Sequence, residues 1–224
     1  MRRPERLTSV GRNLGRMDDR LSTGVDVLDR ELGGGVPPGT VIAYEAPPAS
    51  QGELLLYELT RPRPTLYLTT NRTEDAVRDA FEATNAPTGD PRFGYIPAAD
   101  SLENARRAFR SIPEESTVIF DPVDALERAD RARYENFLNE LGNHVRNTGS
   151  VAVLHCLDTD DNPALRGTTE HLADVVFRLE MEEAAGDIET QLTVPKFRGG
   201  AALETPVKLT LRERVQVDTS RDIA

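Results

Sequence analysis

The stretch Leu21–Leu56, LSTGVDVLDRELGGGVPPGTVIAYEAPPASQGELLL, constrains this chain more than any other. It opens on a cap-like Ser22-Thr23-Gly24 and continues into a short helical segment, VDVLDREL. The triple glycine Gly33-Gly34-Gly35, a proline pair and Gly39 then break the chain. The apolar run Thr40–Tyr44, bounded by turn residues, reads as a buried strand. A loop over Glu45–Gly52 leads into a helix predicted from about Glu53 to Thr60. A strand, a tight loop and a helix in this order make the layout that cradles a phosphate.

This layout resembles the start of the RecA/RadA/KaiC group of P-loop ATPases, and most of all its archaeal KaiC-like branch. Ser22-Thr23-Gly24, Leu28-Asp29, Gly33-Gly34-Gly35 and Gly39 carry the resemblance. It implies a RecA-like α/β fold: a doubly wound, mostly parallel sheet with antiparallel strands added toward the C-terminus. Strands alternating with helices along the rest of the chain agree with that reading.

The loop chemistry departs from the family. A working phosphate loop reads G-x-x-x-x-G-K-[ST]: backbone N–H groups surround the phosphates, the lysine neutralises them and the hydroxyl holds Mg²⁺. The matching residues are Ala46, Pro47, Pro48, Ala49, Ser50, Gln51, Gly52 and Glu53. Gly52 stands at the lysine position and Glu53 at the hydroxyl position, where its carboxylate would repel phosphate. Sliding the register by one puts Glu53 on the lysine position, so no register restores the cation. The loop is read as one that has lost ordinary nucleotide binding.

Three further segments match by resemblance. VIFDPVDAL, Val118–Leu126, resembles the Walker B strand, with Asp121 at the position that acts on Mg²⁺. YLTTNRTEDAV resembles the stretch bearing catalytic glutamates, here replaced by Asn71 and Arg72. Asn71 takes no proton and Arg72 has the opposite charge. VPKFRGG, Val194–Gly200, resembles the segment whose lysine and arginine reach a neighbouring subunit's nucleotide. Lys196 and Arg198 hold those positions, either as a trans finger or as the solvated tip of a hairpin.

Composition bounds the rest. The 224 residues, 38% of them hydrophobic, suffice for one domain with a sizeable core. The net charge is −11, and Lys196 and Lys208 are the only lysines. An acidic, lysine-poor chain resembles proteins of extreme halophiles and argues against extended contact with DNA phosphates. The single cysteine, Cys156, excludes an intrachain disulfide and reads as a small buried hydrophobe. His144, His155 and His171 show no metal-ligand spacing, so they read as structural and no metal is expected. No run reaches the length of a membrane span and no signal peptide is visible, so the cytoplasm is expected.

The expected organisation is a flexible arm over residues 1–20, a RecA/KaiC-like domain over 21–217 and a tail over 218–224. Strands are predicted at Thr65–Thr69, Arg92–Ile96, Thr117–Phe120, Val151–Leu157, Asp174–Met181, Ile188–Phe197 and Pro206–Arg212, the last two forming a hairpin-like part. Helices are predicted at Glu74–Ala83 (capped by Thr73), after a Ser101 cap, and at Arg131–Thr148. Asp158–Gly167 reads as a polar loop above the sheet. The expected function is that of a catalytically degenerate domain in regulation, signalling or assembly, with no ATP or Mg²⁺ required. Its partners would be other proteins or further copies. The alternatives are a divergent ATP-binding ATPase, or a RadA-paralogue-like repair accessory that meets DNA through the arginine-bearing arm.

Overall fold

The computed structural model describes residues 20–184, 187–211 and 215–217. Of the expected N-terminal arm only Arg20 falls within these, and the expected tail lies outside them. Nine strands form one sheet in the order β3-β2-β4-β5-β1-β6-β7-β8-β9. They are β1 Val41–Ala46, β2 Thr65–Thr69, β3 Arg92–Tyr95, β4 Thr117–Asp121, β5 Val151–Leu157, β6 Val175–Ala184, β7 Asp187–Phe197, β8 Val207–Leu211 and β9 Val215–Val217. The pairs from β3 through β6 are parallel, and those from β6 through β9 are antiparallel. The expected α/β sheet with antiparallel C-terminal strands is therefore observed.

Among the described residues there are seven helices: α1 Asp26–Glu31, α2 Glu53–Glu58, α3 Glu74–Ala83, α4 Ser101–Phe109, α5 Asp124–Glu127, α6 Arg131–Thr148 and α7 Arg166–Leu172. Central strands are buried on both faces, so they read as continuous apolar runs rather than alternating ones. In β1, Ile42 and Tyr44 join a core shared with Leu28 of α1, Leu55 of α2 and Phe81 of α3. Val41 and Ala43 point the other way, into a core with Phe109 of α4 and Phe137 of α6. Successive β1 residues thus bury their side chains against opposite helix layers, which supplies stabilisation at roughly 25 cal/mol per Å² of apolar surface removed from water.

Capping decides several boundaries. Thr73 accepts a hydrogen bond from the Ala76 amide and starts α3. Asp130 does the same for Arg133 at the start of α6, and Gly149, at φ +64°, ends it. The expected Ser101 cap is corrected: the cap position is Asp100, at φ +53°, and its side chain makes no capping bond. Three elements lie beyond the predicted ones: α5 follows β4, α7 starts at the end of the segment read as a polar loop and runs on to Leu172, and β9 extends the sheet past the expected last strand.

The N-terminal motif is held by a single carboxylate. Asp29 Oδ1 accepts from the Thr23 amide and hydroxyl, each at 2.7 Å, and Oδ2 accepts from Ser22 Oγ at 2.6 Å. Gly24 sits at φ +88° with the Glu58 carbonyl of α2 against it; a Cβ there would lie 2.2 Å from that oxygen. The motif therefore packs α1 against the end of α2.

Candidate functional site

In open parallel sheets, ligands bind beyond the carboxyl ends of the strands. Here the loop after β1, the end of β4 and the turn after β2 meet at that edge. Side chains turn inward because each follows a strand whose neighbours fix its register. Thr69 of β2 pairs with Asp121 of β4, and Phe120 of β4 pairs with Leu154 of β5. One step further on, Asp121 stands beside His155.

Asp121 is buried and accepts three hydrogen bonds. Tyr67 Oη donates at 2.6 Å, His155 Nδ1 at 2.6 Å and Arg72 Nη2 at 3.2 Å. Burial alone would raise its pKa. The His155 contact, the Tyr67 hydroxyl and the Arg72 charge outweigh burial and hold the carboxyl below its ordinary value. Asp121 is thus an ionised carboxylate. The Tyr44 ring stacks on His155 with centroids 5.4 Å apart. Burial, together with the Asp121 charge, pushes both tyrosine hydroxyls well up, so they serve as neutral donors.

Arg72 completes the arrangement. Its Nη1 lies 3.4 Å from Glu53 Oε1 while Nη2 bonds Asp121, so one guanidinium joins the start of α2 to the end of β4. Burial would lower its pKa, and the two carboxylates more than offset that. The residues at the hydroxyl, Walker B and catalytic-glutamate positions form one Glu53–Arg72–Asp121 bridge. Asn71, the other glutamate-position residue, is exposed and accepts from Thr70 Oγ1 at 3.3 Å.

The loop Ala46–Gly52 is closed on itself. The Ser50 amide donates to the Pro47 carbonyl at 3.0 Å, Ser50 Oγ donates to the same oxygen at 2.6 Å, and the Gly52 amide donates to Ser50 Oγ at 3.1 Å. Tyr44 Oη donates to the Gly52 carbonyl at 3.0 Å. A Cβ built on Gly52 would lie 2.8 Å from Tyr44 Oη and 2.9 Å from Ala46 Cβ. Two amides of the loop are thereby turned to internal acceptors. With a guanidinium already between the two carboxylates and no hydroxyl at position 53, this donor set does not fit a Mg²⁺-bound phosphate chain. Among the described residues, no group of three His, Cys, Asp or Glu side chains is arranged to hold a metal ion.

The basic pair at the end of β7, Lys196 within it and Arg198 just past it, lies elsewhere. Lys196 Nζ donates to the carbonyls of Glu170 and His171 at 2.7 and 2.8 Å, capping the C-terminus of α7. Arg198 Nη1 bonds Asp174 Oδ1 at 3.0 Å. Within one chain both cations are engaged by their own domain. A second polar cluster, which the sequence reading missed, holds α5 to α7. Arg166 reaches Glu127 from Nε at 3.1 Å, Asp124 from Nη2 at 3.0 Å and the Leu157 carbonyl at 2.9 Å. His155 was also missed as a site residue. Its signal was available: it lies in the strand that borders β4, one position past the last paired residue.

No helix among the described residues is long and apolar enough to cross a membrane. No curated protein matches the chain by sequence. Solved structures do resemble it in fold. A KaiC-like protein of the hyperthermophilic archaeon Pyrococcus horikoshii superposes with a TM-score of 0.71 at 13% identity, covering 88% of this chain and 98% of that one. The flagellar accessory protein FlaH of Methanocaldococcus jannaschii gives 0.69 at 16% identity, covering 89% and 98%. The chain therefore has the RecA-type P-loop ATPase fold of these proteins. Residues 20–224 match the model of the family of unknown function DUF7125, and the chain belongs to that family.

Proposed function

We propose that this protein is a RecA-type domain that does not hydrolyse ATP and acts in regulation, signalling or assembly. The observation that carries the reading is Arg72 held between Glu53 and Asp121. A side-chain cation stands among the groups that, in a working site of this fold, would serve a metal ion and a polarised water. The closed loop and the absent lysine support the same reading. Losing the lysine and a catalytic carboxylate together removes the main sources of transition-state charge stabilisation. In this proposal the protein is cytoplasmic, belongs to a halophilic archaeon, needs neither ATP nor Mg²⁺, and works through other proteins or further copies of itself. The net charge of −11 supports the halophilic assignment.

Calorimetric titration of ATP and ADP with Mg²⁺ in molar KCl tests it. No heat and no shift in melting temperature at millimolar nucleotide is the expected result, and micromolar binding overturns it. A second reading has one observation in its favour. The Arg72 side chain is 34% exposed and Glu53 is 47% exposed, so the guanidinium is free to turn toward an anion at the loop. Nucleotide binding that Arg72→Ala abolishes would select that metal-free binding mode.

A further inference from the structure

Glu45 is the penultimate residue of β1, just ahead of the loop, with its side chain on the opposite face from Tyr44. It is buried, at 4% exposure. Its Oε2 accepts from Arg178 Nε of β6 at 2.6 Å, while Oε1 is buried with no hydrogen-bond partner. The Glu170 carboxyl of α7 lies within hydrogen-bonding reach of Glu45, and Arg178 Nη2 lies 3.9 Å from Glu170 Oε1. One guanidinium thus faces two carboxyls, one of them with a bare buried oxygen. An ionised Glu45 would leave that oxygen without a donor beside a second negative charge, an arrangement costly in a dry environment. A proton on Oε1 supplies the missing donor and removes the repulsion.

We propose that Glu45 and Glu170 share a proton and form a pH-operated latch between β1 and α7, closed when Glu45 is protonated. The latch connects two features already described. β1 launches the loop, and the last carbonyls of α7 hold Lys196. The charged and titratable groups around Glu45 fit this role. Arg178 comes from β6, and Lys196 of β7 faces Glu170 rather than Glu45. β5 presents the Cys156 thiol beside Glu45. Asp124 and Glu127 of α5 face that thiol but are engaged by Arg166 of α7. Burial, with the Glu170 hydrogen bond added and Arg178 opposing, pushes the Glu45 carboxyl up to about 7. Because the folded value lies above the ordinary one, the stabilisation is present in acid and is lost as pH rises through about 7.

Hydrogen exchange of the α7 amides in the full chain, corrected for intrinsic rates, tests the latch from about pH 5.5 to about pH 8.5. A several-fold loss of protection across neutral pH is expected, accompanied by loss of a protonated-carboxyl band in difference infrared spectra. Glu45→Gln should keep protection flat, because its amide donates to Glu170 at every pH. Glu170→Gln removes the neighbouring charge at a side chain that is 38% exposed, so it leaves a foldable chain in which the infrared transition moves to lower pH. A flat profile in the unaltered protein, or the same fall in Glu45→Gln, overturns the proposal.

Discussion

Arg72 and Asp121 meet at 3.2 Å, although in a working site of this fold their positions would hold a catalytic carboxylate and a metal-binding one. The reversal of charge at position 72 is matched by Glu53, 3.4 Å away on the other side of the guanidinium. Two changes that look like separate losses are partners in one bridge.

Removing the cation exposes this dependence. Arg72→Ala is expected to cost about 1–2 kcal/mol, less than a fully buried pair would because the bridge is partly in water. Chemical denaturation measures the loss. The variant also leaves Glu53 and Asp121 facing each other, so added Mn²⁺ should recover part of its melting temperature and leave that of the unaltered protein unchanged.

Asp121 sets an acid limb on stability. Its folded pKa lies below the ordinary value, so its contribution is present above the ordinary carboxylate range and is lost as pH falls through the folded one. Asp121→Asn should flatten the fall of melting temperature below about pH 4, at a cost in stability at neutral pH. Differential scanning calorimetry over that range gives the comparison.

Arg166 bonds both Asp124 and Glu127 in the α5–α7 cluster, and its side chain is 7% exposed. Arg166→Ala leaves two carboxylates deprived of their shared cation and should cost about 3–5 kcal/mol. Urea unfolding followed by circular dichroism reports the loss. A much smaller cost would mean that α7 is held by its apolar contacts alone.

Lys196 acts on α7 through two carbonyls. Lys196→Ala should cost about 1 kcal/mol and fray the end of that helix. Sedimentation of the same variant shows whether the side chain also contributes to assembly. A lower association state with unchanged monomer stability would assign Lys196 to a contact between copies.

The sequence made the sheet legible wherever burial on both faces wrote continuous apolar runs, as in β2 and β5, whose ends agree with the predicted ones. α6 was equally plain because Tyr134, Phe137, Leu138 and Leu141 recur at helical spacing and Gly149 ends it, while its Asp130 cap came from the structure. α7 was not, since RGTTEHL has no apolar stripe and its buried side chains are Arg166 and Thr169. Its helix is set by contacts with Asp124 and Glu127, distant in sequence. The same holds for the site. The residue types at positions 53, 72 and 121 could be read as departures from a motif, but their pairing depends on three strand ends being brought together.

The contact between Tyr44 and Gly52 bears on history as well as geometry. Position 52 is where a phosphate-binding lysine would stand, and any side chain there meets the Tyr44 hydroxyl and the Ala46 methyl below 3 Å. Gly52→Lys alone should therefore destabilise the chain without restoring nucleotide binding, since Tyr44 would have to yield and Arg72 to leave. On the proposed non-hydrolysing reading, no single substitution at position 52 supplies a phosphate-binding cation, because the tyrosine packed against this glycine has to give way first.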